Sequence, residues 1–313
     1  KAQSWLVKSQ LIGTLATLQL PRFLTALKHS LLHWLTMIPR QIRILYKDHQ
    51  FEQSTSLYNQ PEKPVERQHS LNKPRSVIFA NSKGGVGKST LALMAGLGLA
   101  TQHPSTRVEL IDLDVQKTSS DSLKRFTNHR FQVLENEDFF LNSGSPNNGN
   151  LINHMGTDFP YSQDQKFIVF DSPAGNEPSR STFLTHCDVV FVPTSVGDAD
   201  VFATQKYLVA LQQLFSRQKG NMEGPPPPIV ILPNMIDSRD EFNELRASLS
   251  GVSAYFGKPL YYSPVFRRAF REDENDTSVA TLLKHAQPYI KWMTNLILKA
   301  EALPQPPGRL FQL

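Results

Sequence analysis

The segment Ala80-Asn81-Ser82-Lys83-Gly84-Gly85-Val86-Gly87-Lys88-Ser89-Thr90 packs three glycines and two lysines into one short run. Glycine-rich turns let successive backbone N–H groups converge on an anion. A helix that starts immediately afterwards adds free donors and the positive end of its dipole. The run Ser76–Ala80 (SVIFA) before the segment reads as a strand, and Ser89–Thr101 after it reads as a helix. That strand–loop–helix setting is what a phosphate-binding loop requires. In it Gly84, Gly85, Val86, Gly87, Lys88, Ser89 and Thr90 line a phosphate chain. Lys88 is spaced to reach the β- and γ-phosphates, Ser89 to bind Mg²⁺ through its hydroxyl, and Thr90 to meet the α-phosphate. The common pattern G-x-x-x-x-G-K-[ST] asks for glycine where Ser82 stands. A second lysine, Lys83, precedes the glycine pair instead.

Carboxylates recur where such a loop needs them. Asp112 and Asp114 close the apolar run that starts at Arg107, and Asp171 closes Phe167–Phe170. An Asp after four apolar residues sits at the carboxyl end of a strand, the edge at which open α/β sheets bind ligands. From there it can hold a Mg²⁺-bound water.

The elements that must position these residues follow from periodicity. Five short β-branched runs read as strands: Ser76–Ala80, Arg107–Asp112, Phe167–Asp171, Asp188–Val192 and Pro228–Leu232. Between or after them Ser89–Thr101, Ala199–Phe215, Arg239–Leu249 and Val279–Ala300 read as helices. This alternation predicts a doubly wound α/β domain with a mainly parallel sheet. Residues 142–165 and 219–228 read as loops, the latter with four consecutive prolines, and the Pro-containing tail 303–313 as a surface extension.

Four zones are expected: an arm (1–47), a polar linker (48–75), the α/β domain (76–302) and the tail (303–313). The arm carries seven Lys/Arg and no Asp or Glu, whereas residues 76–313 carry 22 Lys/Arg against 24 Asp/Glu. The net charge of +5 therefore belongs to the arm and not to the domain. Leu24, Leu27, Leu31, Leu35 and Ile38 form one apolar stripe between Pro21 and Pro39, predicting an amphipathic helix. The uncharged stretches of the arm fall short of the roughly 20 residues that span a bilayer. Its acid-free character resembles an organelle transit peptide, and the first residue is Lys rather than Met. Cys187 is the one cysteine, which excludes a disulfide framework and Cys-rich metal sites and suits a reducing cytoplasm. His29 and His33 have helical spacing but no accompanying carboxylate or Cys, so they do not make a zinc site.

The run KGGVGKST, Lys83–Thr90, resembles the phosphate loop of the ParA/MinD family of ATPases. Asp112-Leu113-Asp114-Val115-Gln116 resembles the family's first switch, with Val115 in place of its usual proline. Phe167–Gly175 resembles its second magnesium-supporting strand and switch, and Asp188–Thr194 resembles its next strand. The resemblance covers residues 76–302 and implies a P-loop NTPase domain that binds ATP and Mg²⁺. It further implies that two subunits face each other across two nucleotides, with Lys83 reaching the partner's phosphates. Asp114 would position the attacking water, with Ser89, Asp112 and Asp171 around the metal. A lysine acting across the dimer neutralises charge in phosphoryl transfer as an arginine finger does.

Asn234, in Pro233-Asn234-Met235-Ile236-Asp237, matches the family position that faces adenine. Ser263-Pro264-Val265, after the last short strand, reads either as the other side of the base, with Pro264 against it, or as a plain strand-to-helix turn. Asn234 and Asp237 also have the spacing of a guanine-reading N-K-x-D, though Met235 lacks the lysine stem; the phosphate loop favours ATP. Arg267, Arg268 and Arg271 are candidates for nonspecific DNA contact through phosphates, or for a solvated mixed-charge helix end. The arm can dock on a protein, lie on anionic membrane or bind DNA. The expected function is an ATPase that dimerises with ATP to position or segregate a plasmid, chromosome or large complex. It would be cytoplasmic, on the nucleoid or peripheral at a membrane. The alternative is an ATP-dependent adaptor that recruits DNA or protein to a conjugation or secretion apparatus.

Overall fold

A computed structural model describes residues 74–313, apart from 104, 115–123, 135–138, 140–145, 158–164, 176, 223, 269–276 and 304–307. The expectations for the arm, for most of the linker, for Val115 and Gln116, and for Arg271 lie outside the described residues.

The chain alternates strands and helices: β1 (Arg75–Phe79), α1 (Lys88–Gln102), β2 (Thr106–Asp112), β3 (Phe131–Leu134), α2 (Asn148–Gly156), β4 (Gln165–Asp171), β5 (Val189–Thr194), α3 (Asp198–Gln218), β6 (Ile229–Ile236), α4 (Arg239–Ser248), β7 (Tyr255–Phe256), β8 (Leu260–Tyr261), α5 (Pro264–Arg267), α6 (Thr277–His285), α7 (Gln287–Leu298) and β9 (Phe311–Gln312). The strands run in the order β3-β2-β4-β1-β5-β6-β7-β9, with β8 paired to β6, and every pairing is parallel. The doubly wound parallel sheet expected from the alternation is the observed fold.

A parallel sheet needs both faces covered, which is why its central strands are apolar throughout rather than alternating. On β1, Val77 and Phe79 enter the core beneath α1, α6 and α7, while Ile78 enters the core beneath α2, α3 and α4. The Phe79 and Phe191 rings stack at 4.9 Å and lock β1 to β5 on one face. Cys187 is fully buried in the opposite core, as its small apolar character predicts.

Four local readings change. Residues 148–156, expected to be loop, form α2, capped by Asn147, whose side chain accepts from the Asn150 N–H, and buried through Leu151 and Met155. The helix expected over 279–300 is two helices, α6 and α7, divided at Ala286 because Pro288 begins a new first turn. The strand expected to stop at Leu232 continues to Ile236, so Asn234 lies inside β6 and not after it. The tail does not simply project: β9 adds Phe311 and Gln312 in parallel to Tyr255 and Phe256 of β7.

β1 lies between β4 and β5, and its following helix, α1, covers the face opposite to α3. Chain direction across the sheet reverses here, so the carboxyl ends of β1, β4 and β5 frame the crevice in which such sheets bind ligands. Among the described residues no helix is long and apolar enough to cross a membrane.

Candidate nucleotide-binding site

The loop from Ala80 to Gly87 joins β1 to α1 at that crevice. Gly85 and Gly87 have φ of 79° and 92°, a left-handed backbone that glycine adopts without steric penalty. Gly87 is constrained twice, because a Cβ there would lie 2.1 Å from Asn234 Nδ2. Asn234 donates that amide to the Val86 carbonyl at 2.9 Å and is itself buried. The carboxyl end of β6 thus braces the turn from below.

Lys88 opens α1 and is buried, with Nζ donating to the Lys83 carbonyl at 2.9 Å. Burial lowers its pKa from the ordinary lysine value, while the negative charges of Asp171 and Asp114 pull the other way. A buried ammonium held against backbone and facing two carboxylates is a cation placed for phosphate. Ser89 and Thr90 stand half-buried in the first turn of α1, and Gly84 and Gly85 are exposed on the rim.

Hydrogen bonds between strand ends bring the acids to this lysine. The Ser172 N–H donates to the Phe79 carbonyl at 3.1 Å, Leu113 N–H to Asp171 O at 2.8 Å, and Gly175 N–H to Ser82 O at 2.8 Å. Asp112 and Asp171 sit side by side in register across β2 and β4, both buried. The Asp112 carboxylate accepts from the Asp114 N–H at 2.9 Å and holds the turn that presents Asp114. Mg²⁺ is usually bound by one or two carboxylates with phosphate oxygens and water rather than by an all-protein cage. Asp112, Asp171 and the Ser89 hydroxyl are a donor set of that kind. Among the described residues no group of three or more His, Cys, Asp or Glu is placed to hold a metal by itself.

Lys83 is the half-exposed lysine of the loop, and its Nζ is 3.5 Å from Asp200 Oδ1 in the first turn of α3. Asp200 also accepts a short hydrogen bond from the Ser195 hydroxyl. Beneath this pair three polar side chains are sealed from solvent. Asn81 Nδ2 donates to Pro193 O at 2.8 Å and to Thr204 Oγ1 at 2.9 Å, and Thr204 donates on to Thr194 Oγ1 at 2.9 Å. Sequence reasoning passed over Asn81, Thr194, Ser195, Asp200 and Thr204. The acids Asp198 and Asp200 at a helix start were the only visible signal.

The base-side residues are less tightly gathered. Met235 has φ of 58°, uncommon for a residue with a side chain, and the β6–β8 register shifts between Asn234 and Ile236. Leu260 of β8 pairs beside Asn234, which brings Ser263 and Pro264 to the same edge. Ser263 caps the short α5 by accepting from the Val265 N–H, and Pro264 is its exposed first residue. Arg267 and Arg268 are exposed, with the Arg267 guanidinium 5.2 Å from the Tyr262 ring centroid. Asp237 is exposed, and its N–H donates to Glu241 of α4 at 2.9 Å.

Residues 77–275, more than half of the chain, match the family model described as the CobQ/CobB/MinD/ParA nucleotide binding domain. The solved structure of apo McdA from Cyanothece is 16% identical, with a TM-score of 0.51, covering 72% of this chain and 98% of that one. An ATP complex of a Cyanothece McdA variant is 15% identical, with a TM-score of 0.51, covering 75% and 98%. A plasmid partition protein from Borrelia burgdorferi is 16% identical over 68% of this chain and 99% of that one, with a TM-score of 0.44. The McdA likenesses bear on the fold; with the family match and the strand–loop–helix crevice of β1 and α1, they place this chain in the CobQ/CobB/MinD/ParA nucleotide-binding family.

Proposed function

We propose that this chain is a ParA-like ATPase that dimerises on ATP and releases a bound cargo when ATP is hydrolysed. The observation that carries the reading is the pair of lysines on one loop. Lys88 is buried beside Asp171 and Asp114, while Lys83 is half-exposed and turned outward to Asp200. A single phosphate-binding lysine suffices to hold a nucleotide. A second, outward lysine on the same loop is suited to a phosphate that the same subunit does not hold.

In this reading Gly84–Thr90 cradle the phosphates through backbone N–H groups, and Lys88 neutralises them. Ser89, Asp112 and Asp171 hold Mg²⁺, which would offset charge on the phosphate oxygens during transfer. Asp114 orients the attacking water. Asn234 and Pro264 flank the base. Lys83 leaves Asp200 and contacts the partner's phosphates, so that turnover requires two subunits. The nucleotide-binding domain runs from β1 to the β9 strand of the tail, and residues 1–47 serve as a targeting segment for a protein, DNA or membrane partner. Exposed Arg267 and Arg268, with Arg271, provide a sequence-independent contact for DNA phosphates.

The test compares Lys83→Ala with Lys88→Ala in the full chain. Lys88→Ala should lose nucleotide binding. Lys83→Ala should keep binding and lose ATP-dependent dimerisation and turnover. Normal binding and hydrolysis by both variants would overturn the assignment.

A further inference from the structure

The polar side chains beneath the phosphate loop form a directed chain. Asn81 spends both amide hydrogens, on Pro193 O and Thr204 Oγ1, and its Oδ1 accepts from the Lys83 N–H at 3.1 Å. The amide orientation is therefore fixed, because a carbonyl can only accept and an N–H only donate. Thr204 then donates to Thr194, and Thr194 donates to the Ser195 carbonyl at 3.2 Å. Ser195 Oγ donates to Asp200, whose other oxygen faces Lys83 Nζ. The bonds close a ring that starts and ends at Lys83. Its inner arc, Asn81–Thr204–Thr194, has no exposed surface, and its outer arc, Asp200–Lys83, meets solvent.

The two arcs differ in what opening them costs. A solvated ion pair is weak and exchanges readily. A buried, fully satisfied polar chain is expensive to break, since each freed group is left without water. Lys83 is also held at its carbonyl by Lys88 Nζ, a bond that Lys88 would give up on turning to phosphate in the proposed function. Among the described residues, Asn81 is then the one side chain that hydrogen-bonds the Lys83 backbone. We propose that Asn81 and Thr204 are positioning residues that hold the Lys83 main chain as a fixed pivot, from which its side chain swings between Asp200 and phosphate. This rests on the reading of Lys83 as a phosphate-contacting lysine.

The test uses the full chain with Thr204→Val, which keeps the shape and removes the hydroxyl, and Thr204→Ser, which keeps the hydroxyl. In the nucleotide-free protein, exchange of the Lys83 amide should accelerate about fivefold in Thr204→Val, the factor expected for one net hydrogen bond. The Kd of a fluorescent ATP analogue should hold within about twofold, while turnover at saturating ATP falls about tenfold from misplacement of Lys83. Thr204→Ser should restore both. Unchanged Lys83 exchange, or equal damage from Val and Ser, would each overturn the proposal. Should Thr204→Val not fold, Thr194→Val cuts the same chain one bond further on, and Lys83 exchange decides. If wild-type hydrolysis proves independent of Lys83, the functional reading fails, and the exchange measurement still judges the pivot by itself.

Discussion

Lys83 Nζ stands 3.5 Å from Asp200 Oδ1, so the loop after β1 is tied to the first turn of α3 by the lysine expected to leave it. The pair is partly exposed, and such pairs are worth up to about 1 kcal/mol. Asp200→Asn should therefore leave thermal stability nearly unchanged. It should release Lys83 and lower the ATP concentration needed for dimerisation, by up to about fivefold for that energy. Sedimentation across an ATP titration reads this directly; an unaltered midpoint would show that Asp200 does not restrain Lys83.

The two left-handed glycines of the loop should respond differently to alanine. At Gly85 nothing lies within 4 Å of an added Cβ, so only backbone strain of about 1–2 kcal/mol applies. At Gly87 the same strain is joined by a contact of 2.1 Å with Asn234 Nδ2. Gly87→Ala should displace Asn234 from the Val86 carbonyl and abolish nucleotide binding, while Gly85→Ala weakens it. Isothermal titration with ADP distinguishes the two. Equal affinities would mean that Asn234 does not brace the turn.

A partly buried charge cluster away from the loop gives a pH signature. His154 Nε2 lies 2.8 Å from Glu109 Oε2, and Lys166 Nζ 3.0 Å from Glu109 Oε1, joining α2 to β2 and β4. Burial alone would raise the Glu109 pKa, but hydrogen bonds and charge from His154 and Lys166 outweigh it and leave it lowered. A carboxyl lowered in the folded state contributes stability that is present above its unfolded value of about 4.3 and is lost as pH falls through the folded value. Glu109→Gln should therefore cost about 2 kcal/mol at neutral pH, because the carboxylate that accepts from His154 and Lys166 is replaced by a neutral amide. That deficit should shrink in acid. Urea midpoints of both proteins across pH test the sign; a deficit that grew in acid would refute it.

Met235 carries left-handed strain at φ of 58°. Met235→Gly should relieve about 1 kcal/mol of that strain, partly offset by the greater freedom of glycine in the unfolded chain. Met235→Val should destabilise by more, since β-branching worsens a positive φ. The order Gly, Met, Val in melting temperature checks it.

The contiguous half of the site was legible in the sequence because its parts are neighbours in the chain. Lys83, the glycines, Lys88 and Ser89 occupy one loop, and Asp112 and Asp171 mark strand ends through the apolar runs before them. The remainder depends on separations no local pattern carries. Asn81 meets Pro193 and Thr204 across more than a hundred residues, and none of the three is an unusual residue in its own stretch. In the fold, the central strands announced themselves by β-branched runs. α2 did not, since its sequence NGNLINHMG is rich in weak helix formers and is held by its cap and by Leu151 and Met155. The periodicity of α6 runs on into α7 and hid the break at Ala286, although Pro288 was its signal. β9 is two residues long, and its strand character comes from pairing with β7.

Cys187 is the one thiol in the chain and is wholly enclosed between the sheet and its helices. Thiol-directed reagents therefore meet a nearly silent background in the folded protein without any native residue being removed. A cysteine introduced on the solvent face of α3 would take a fluorophore or spin label selectively. Such a reporter could follow, in real time and in a single labelled species, when the loop lysine lets go of its helix.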